Sequence, residues 1–118
     1  SYIVHSTQIF VKEEKMPDFL QVNASVTAQL DQTDGVVAYS LAGDQSCGDL
    51  HTLGLWESEQ AMYAFVGSGA HAQAMTQIDD LALTGRVTHW TATAEEVNAL
   101  DWPTAMDKIA EVDPLDGY

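Results

Sequence analysis

Apolar residues recur along this chain in two rhythms, a period of two and a period near 3.6, and the order of the segments restricts the fold more than any other feature. Residues 2–11 (Tyr-Ile-Val-His-Ser-Thr-Gln-Ile-Phe-Val) are rich in β-branched and aromatic types and alternate loosely, as a half-buried strand does. Lys12 to Lys15 break the pattern, and Pro17 suits the first turn of a helix, where its missing N–H leaves nothing unsatisfied. From Asp18 the spacing turns helical, with Phe19, Val22, Val26 and Leu30 on one stripe. Asp34-Gly35 signals a turn. Val36 to Leu41 is a second strand, Gly43 to Gly48 the loop after it, and Leu50 to Trp56 a third strand.

Ser58 is a natural N-cap for a helix over Glu59 to Val66. Gly67-Ser68-Gly69 interrupts that helix, and Ala70 to Leu81 resumes it, with His71, Met75 and Ile78 on one face. Gly85 reads as a turn and Arg86 to Thr93 as a fourth strand. The order is β-α-β-β-α-β, which predicts an α+β ferredoxin-like sandwich with both helices on one face of a four-stranded antiparallel sheet. An appendix follows: Asp101 caps a last short helix beginning at Trp102-Pro103 and carrying Met106, Ile109 and Val112, and Asp113-Pro114 ends it, leaving the final residues loose. Residues 1–118 are thus expected to be one domain, with its core over 2–93 and a helical appendix over 94–118. Both alternating sets of the first strand carry apolar members, Ile3, Ile9 and Val11 against Val4 and Phe10. Helices on one face would leave one set in water, at roughly 25 cal/mol per Å² of apolar surface. A homodimer through the sheet faces would remove that penalty.

Composition excludes several classes of partner. The chain is 46% hydrophobic and 19% charged, which is globular rather than disordered, and its acids outnumber its bases for a formal charge of −14. Such a surface repels phosphate backbones and anionic lipid, so neither nucleic acid nor membrane is an expected partner. Cys47 is the only cysteine, which rules out an internal disulfide and a thiolate metal cluster. No apolar run approaches the length of a membrane span, and residues 1–5 lack the basic-then-apolar pattern of a signal peptide, so the cytoplasm is the expected location. There is no glycine-rich phosphate loop, dinucleotide fingerprint or recognisable nucleophile triad.

The passage Leu55-Trp56-Glu57-Ser58-Glu59-Gln60-Ala61-Met62-Tyr63-Ala64-Phe65 resembles the dimeric α/β-barrel superfamily that includes the antibiotic-biosynthesis monooxygenases, whose members often write a Trp-Glu-Ser start followed by a Phe or Trp about nine residues on. Ser68-Gly69-Ala70-His71-Ala72-Gln73-Ala74-Met75 and Arg86-Val87-Thr88-His89-Trp90 are similar to a subgroup with a helix-borne histidine. The resemblance implies the fold just derived and a small apolar or aromatic ligand held between helices and sheet. It also implies, as one activity of this fold, oxygenation without a cofactor. Haem-degrading members carry a helix histidine too, so haem on His71 is the alternative cofactor, and a non-catalytic ligand-binding dimer the alternative function.

Several side chains are candidates for such a site. An inward His71 can act as a base near neutral pH, or be a core histidine satisfied by a backbone carbonyl. Gly67 and Gly69 before it suggest a kink that admits a ligand or a close strand. Arg86, the only arginine, could hold an enolate oxygen, or pair with one of many acids. Trp56, Phe65 and Trp90 offer flat apolar walls, and Asn23, beside the first helix's stripe, a hydrogen bond to substrate. His5, His51 and His89 all lie on strands without ligand spacing, so no metal is expected.

Overall fold

The computed structural model describes residues 1–113 and the backbone of 115 and 116. Strands β1 (Tyr2–Val11), β2 (Val36–Asp44), β3 (Asp49–Trp56), β4 (Ala82–Ala92) and the two-residue β5 (Leu115–Asp116) form one antiparallel sheet in the order β2-β3-β1-β4-β5. Helix α1 (Met16–Asp31) connects β1 to β2, and α2 (Glu59–Val66), α3 (Gly69–Met75) and α4 (Ile78–Leu81) connect β3 to β4. Two short helices, α5 (Ala94–Asn98) and α6 (Trp102–Ala110), follow β4. The expected order of strands and helices and the antiparallel core sheet are all present.

Local chemistry explains most boundaries. Pro17 lies in the first turn of α1, the Ser58 hydroxyl accepts from the Ala61 N–H at 3.1 Å, and Asp101 accepts from the Thr104 N–H at 2.9 Å. Four expectations need correction. β4 begins at Ala82 rather than Arg86, because Gly85 needs no left-handed φ and continues the ladder opposite Ile9. The helix expected over 70–81 is broken at Thr76 and Gln77, where the Thr76 hydroxyl donates back to the Gln73 carbonyl at 2.7 Å. Helix α5 was not foreseen, although Thr93 and Glu96 make a reciprocal capping box at its start. Of the last residues, expected to be loose, 115 and 116 pair with Gly85 and Thr84, while 114, 117 and 118 lie outside the described residues.

The sheet's second face is not bare. Val4, Leu53, Ala92 and Ala105 are buried together there, with Trp90, Leu100 and Trp102 packed against them, so α6 covers the middle of the sheet from within the same chain. The apolar surface that argued for a second copy is in that region already removed from water. What stays open is edge strand β2, where Val37 is about half exposed; Leu41, exposed to a similar degree, is opposite Thr52 and belongs to the helix face. If α6 is seated as described, Ile109→Val should lower stability in urea by about 1 kcal/mol, the usual cost of one buried methylene. An unchanged midpoint would mean that α6 does not pack on the sheet in solution.

Candidate functional site

On the helix face the core is in two clusters. Ile3, Leu30, Trp56, Met62 and Phe65 form one, and Val11, Phe19, Ile78, Leu81 and Ala82 the other. Between them is a cavity of about 100 Å³ lined by both clusters' edges and by His5, Thr7 and Ile9 from β1. Its roof is α1, with Val22, Asn23 and Val26, and α3, with His71 and Met75. The side chains of the α1 stripe thus border a hollow rather than meeting the sheet along their whole length. Met75, expected to point inward with His71, is 48% exposed although it too lines the cavity.

His71 is held from three sides. Gly69 has a φ of +58°, and a Cβ there would come within 3.0 Å of the Gln29 side chain. The space left by that glycine is therefore occupied by Gln29 of α1, not by a ligand or a strand. The Gln29 amide donates to the Ser68 carbonyl at 2.9 Å and to that of Phe65 at 3.4 Å, and its carbonyl accepts from the His71 backbone N–H at 2.8 Å. The imidazole packs on Phe65, ring centres 5.0 Å apart, and its Nδ1 is 3.0 Å from the Val66 carbonyl. A carbonyl oxygen only accepts, so Nδ1 bears the proton, and the neutral ring keeps its lone pair on Nε2. Burial lowers the His71 pKa below its ordinary value, and the Val66 carbonyl offsets that in part.

His5 was considered only as a metal ligand, yet it is the second ionisable group of this cavity. The Trp56 indole N–H donates to its Nδ1 at 2.7 Å. Because an indole only donates, that nitrogen must be unprotonated, and neutral His5 carries its proton on Nε2. The ring lies close over Gly54, where an added Cβ would fall 2.4 Å from the His5 Cε1. A glycine inside a strand marks a close approach of this kind, and Leu53-Gly54-Leu55 was the sequence signal for it. Burial first, and then the neighbouring His71 and His89, push the His5 pKa down to about 4. The unfolded chain accepts a proton near pH 6.5, which the folded chain refuses, so acidification from 6.5 towards 4 should cost up to about 3 kcal/mol of stability. Relief of the chain's own negative charge acts in the opposite sense. The His5 contribution is therefore read as a difference: His5→Gln, which keeps an acceptor for the indole, should lose less stability than the unaltered protein between pH 7 and 4.5. Equal losses would refute the assignment.

The remaining candidates separate by face. Asn23, Phe65 and His71 line the cavity. Arg86 and Trp90 do not: in the β1–β4 register they are opposite Gln8 and Val4, whose side chains project from the other face, whereas the cavity takes His5, Thr7 and Ile9. Arg86 donates to the Gln8 side-chain oxygen Oε1 at 3.3 Å, the Gln8 side-chain NH2 to Asp49 at 3.0 Å, and the same carboxylate is 2.9 Å from the His51 Nε2. Arg86 therefore belongs to a polar chain across three strands and cannot steady an anion beside His71. Trp90 is covered by Lys108, 5.5 Å from its ring centre. Trp56 is fully buried behind His5 and Phe65, so it supports the cavity wall without lining it. His51 lies on the Arg86 face, whereas His89 is directly opposite His5 across the β1–β4 pair, 3.4 Å from the Tyr63 hydroxyl.

Comparison with known proteins places this geometry in context. The sequence model of a family described as antibiotic biosynthesis monooxygenase matches residues 2–77. A search of curated proteins finds no match. Among solved structures, Rv0793 of Mycobacterium tuberculosis is similar with a TM-score of 0.72 and 16% identity, over 79% of this chain and 96% of its own. A structure described as an antibiotic biosynthesis monooxygenase gives 0.69 and 19%, over 77% and 98%. SnoaB, a cofactor-independent oxygenase from Streptomyces nogalater, gives 0.66 and 16%, over 78% and 93%. At these identities the likeness is one of fold.

Proposed function

The chain belongs to the antibiotic biosynthesis monooxygenase family, and from that membership we propose that it oxygenates a small neutral phenol or quinol directly with molecular oxygen, without a bound cofactor. The observation that carries this reading is the pair of histidines in one apolar cavity with opposite fixed tautomers. His71 presents a lone pair on Nε2, and His5 presents an N–H on Nε2. One is suited to remove a phenolic proton and the other to donate to the oxyanion that forms.

The electron-rich anion then reacts with oxygen at a ring carbon. For a phenol the carbon para to the hydroxyl takes one oxygen atom and becomes a quinone carbonyl. The other oxygen atom leaves as water with the phenolic and ring hydrogens, so atoms and electrons balance with oxygen as the sole oxidant. His71 holds the phenolic proton in the interval, and His5 takes the anion-stabilising role first expected of Arg86. Size favours a single ring: a cavity of roughly 150 Å³ admits benzene, and this one, partly open to solvent, is about 100 Å³.

Haem on His71 is the reading the residues do not fit. Two propionates would enter a largely apolar space in which, among the described residues, no lysine or arginine is placed to pair with them. A test of the oxygenase reading is oxygen uptake by metal-free protein across a panel of phenols and quinols, with isotopic oxygen as tracer. One labelled atom in the product and one in water is the expected outcome. Binding without uptake across the panel would leave a ligand-binding protein and remove the oxygenase.

A further inference from the structure

A second cavity, of about 270 Å³, adjoins the first along α1 and runs over the β2–β3 hairpin, where Leu20, Leu41 and Leu50 line it. The two have Thr7, Ile9, Phe19, Asn23 and Thr52 in common. Three of these carry neutral hydrogen-bonding side chains. Thr7 and Thr52 are directly opposite each other on β1 and β3, and Asn23 comes from the α1 roof. Among the described residues, none of the three side chains has a hydrogen-bond partner in the protein. All three residues are partly exposed, so water can satisfy them until a ligand brings its own hydrogen-bonding group to the same place. Among the described residues no lysine or arginine lines either space.

We infer that the ligand is an elongated neutral amphiphile: an aromatic head in the inner cavity, a carbonyl or hydroxyl at the collar of Thr7, Thr52 and Asn23, and an apolar tail in the outer groove. The inner space holds one ring and no more, whereas the two spaces together reach the size usual for a small-molecule site. A carboxylate or phosphate on the tail is disfavoured twice, by the absence of a basic side chain and by the −14 charge of the chain. This inference rests on reading the inner cavity as the ligand site, and on no oxygen chemistry.

Titration calorimetry of the full chain with meta-cresol, meta-hexylphenol and meta-hexanoylphenol, which leave the para carbon free, tests it. The Kd should fall roughly fourfold for each methylene that enters the groove, so hexylphenol should bind at least about a hundredfold tighter than cresol. Hexanoylphenol, whose carbonyl meets the collar, should bind tighter again, and Thr52→Val should raise its Kd relative to that of hexylphenol by about fivefold. Leu41→Trp, at a half-exposed position in the outer groove alone, should weaken hexylphenol at least tenfold while cresol stays within about twofold. Binding of cresol with no gain from the tail, or equal weakening of cresol and hexylphenol by Leu41→Trp, overturns this inference and leaves the proposed function standing. Failure of every phenol to bind overturns both.

Discussion

Replacing His71 with alanine should lower kcat/KM for the preferred phenol by 10²- to 10⁴-fold, the usual loss when a positioned general base is removed. The fold should survive, because the bond that seats α3 at this point runs from the His71 backbone N–H to Gln29 and does not involve the imidazole. The dependence on pH gives the loss its signature. Burial holds His71 below its ordinary pKa, so the ring is neutral at pH 7 and its Nε2 is free to accept a proton. In the unaltered protein kcat/KM should therefore be level around neutrality and fall as acid protonates His71 below pH 6.5. His71→Gln should erase that acid limb along with most of the rate. A folded His71→Ala protein that oxidises its substrate at the original rate would end the proposal that this histidine is the base.

Much of the architecture was legible because strand and helix rhythms are local. The α1 stripe, the caps at Ser58 and Asp101 and the break at Gly67 to Gly69 are each written in a few adjacent residues, and Asn23, Phe65 and His71 followed from those faces. What was not legible depends on pairing between distant segments. Arg86 and Trp90 alternate along their strand in a way that fits either face. Only the register that sets Arg86 opposite Gln8 sends them away from His71, and a shift by one residue would have sent them towards it. His5 was undervalued for the same reason, since its worth comes from Trp56, 51 residues away, and from the glycine beneath its ring. Covering of the second face by α6 depends on where a helix after the last core strand folds back, and its hydrophobic pattern does not specify the surface it meets.

Trp56 joins the fold to the site, and its removal should be costly to both. It is fully buried, it packs against Phe65 with ring centres 5.3 Å apart, and its N–H fixes His5. Trp56→Ala should destabilise the protein by about 3–5 kcal/mol, the range for truncating a large aromatic in a packed core. A loss of that size falls on packing and hydrogen bonding together, and Trp56→Phe separates the two. Phenylalanine keeps much of the ring but cannot donate, leaving the His5 Nδ1 without its partner, at a cost of about 1–3 kcal/mol. The more telling result lies in His5 itself. Without the indole N–H pointing at Nδ1, that nitrogen is free to carry the proton, and the His5 pKa should rise from about 4 as the protonated ring ceases to face a donor. Nitrogen shifts of the imidazole would report both changes, a mixed tautomer at neutral pH and an earlier titration on acidification. Unaltered shifts in Trp56→Phe would mean that the indole does not set the tautomer, and the assignment of His5 as the donor to the oxyanion would lose its physical basis.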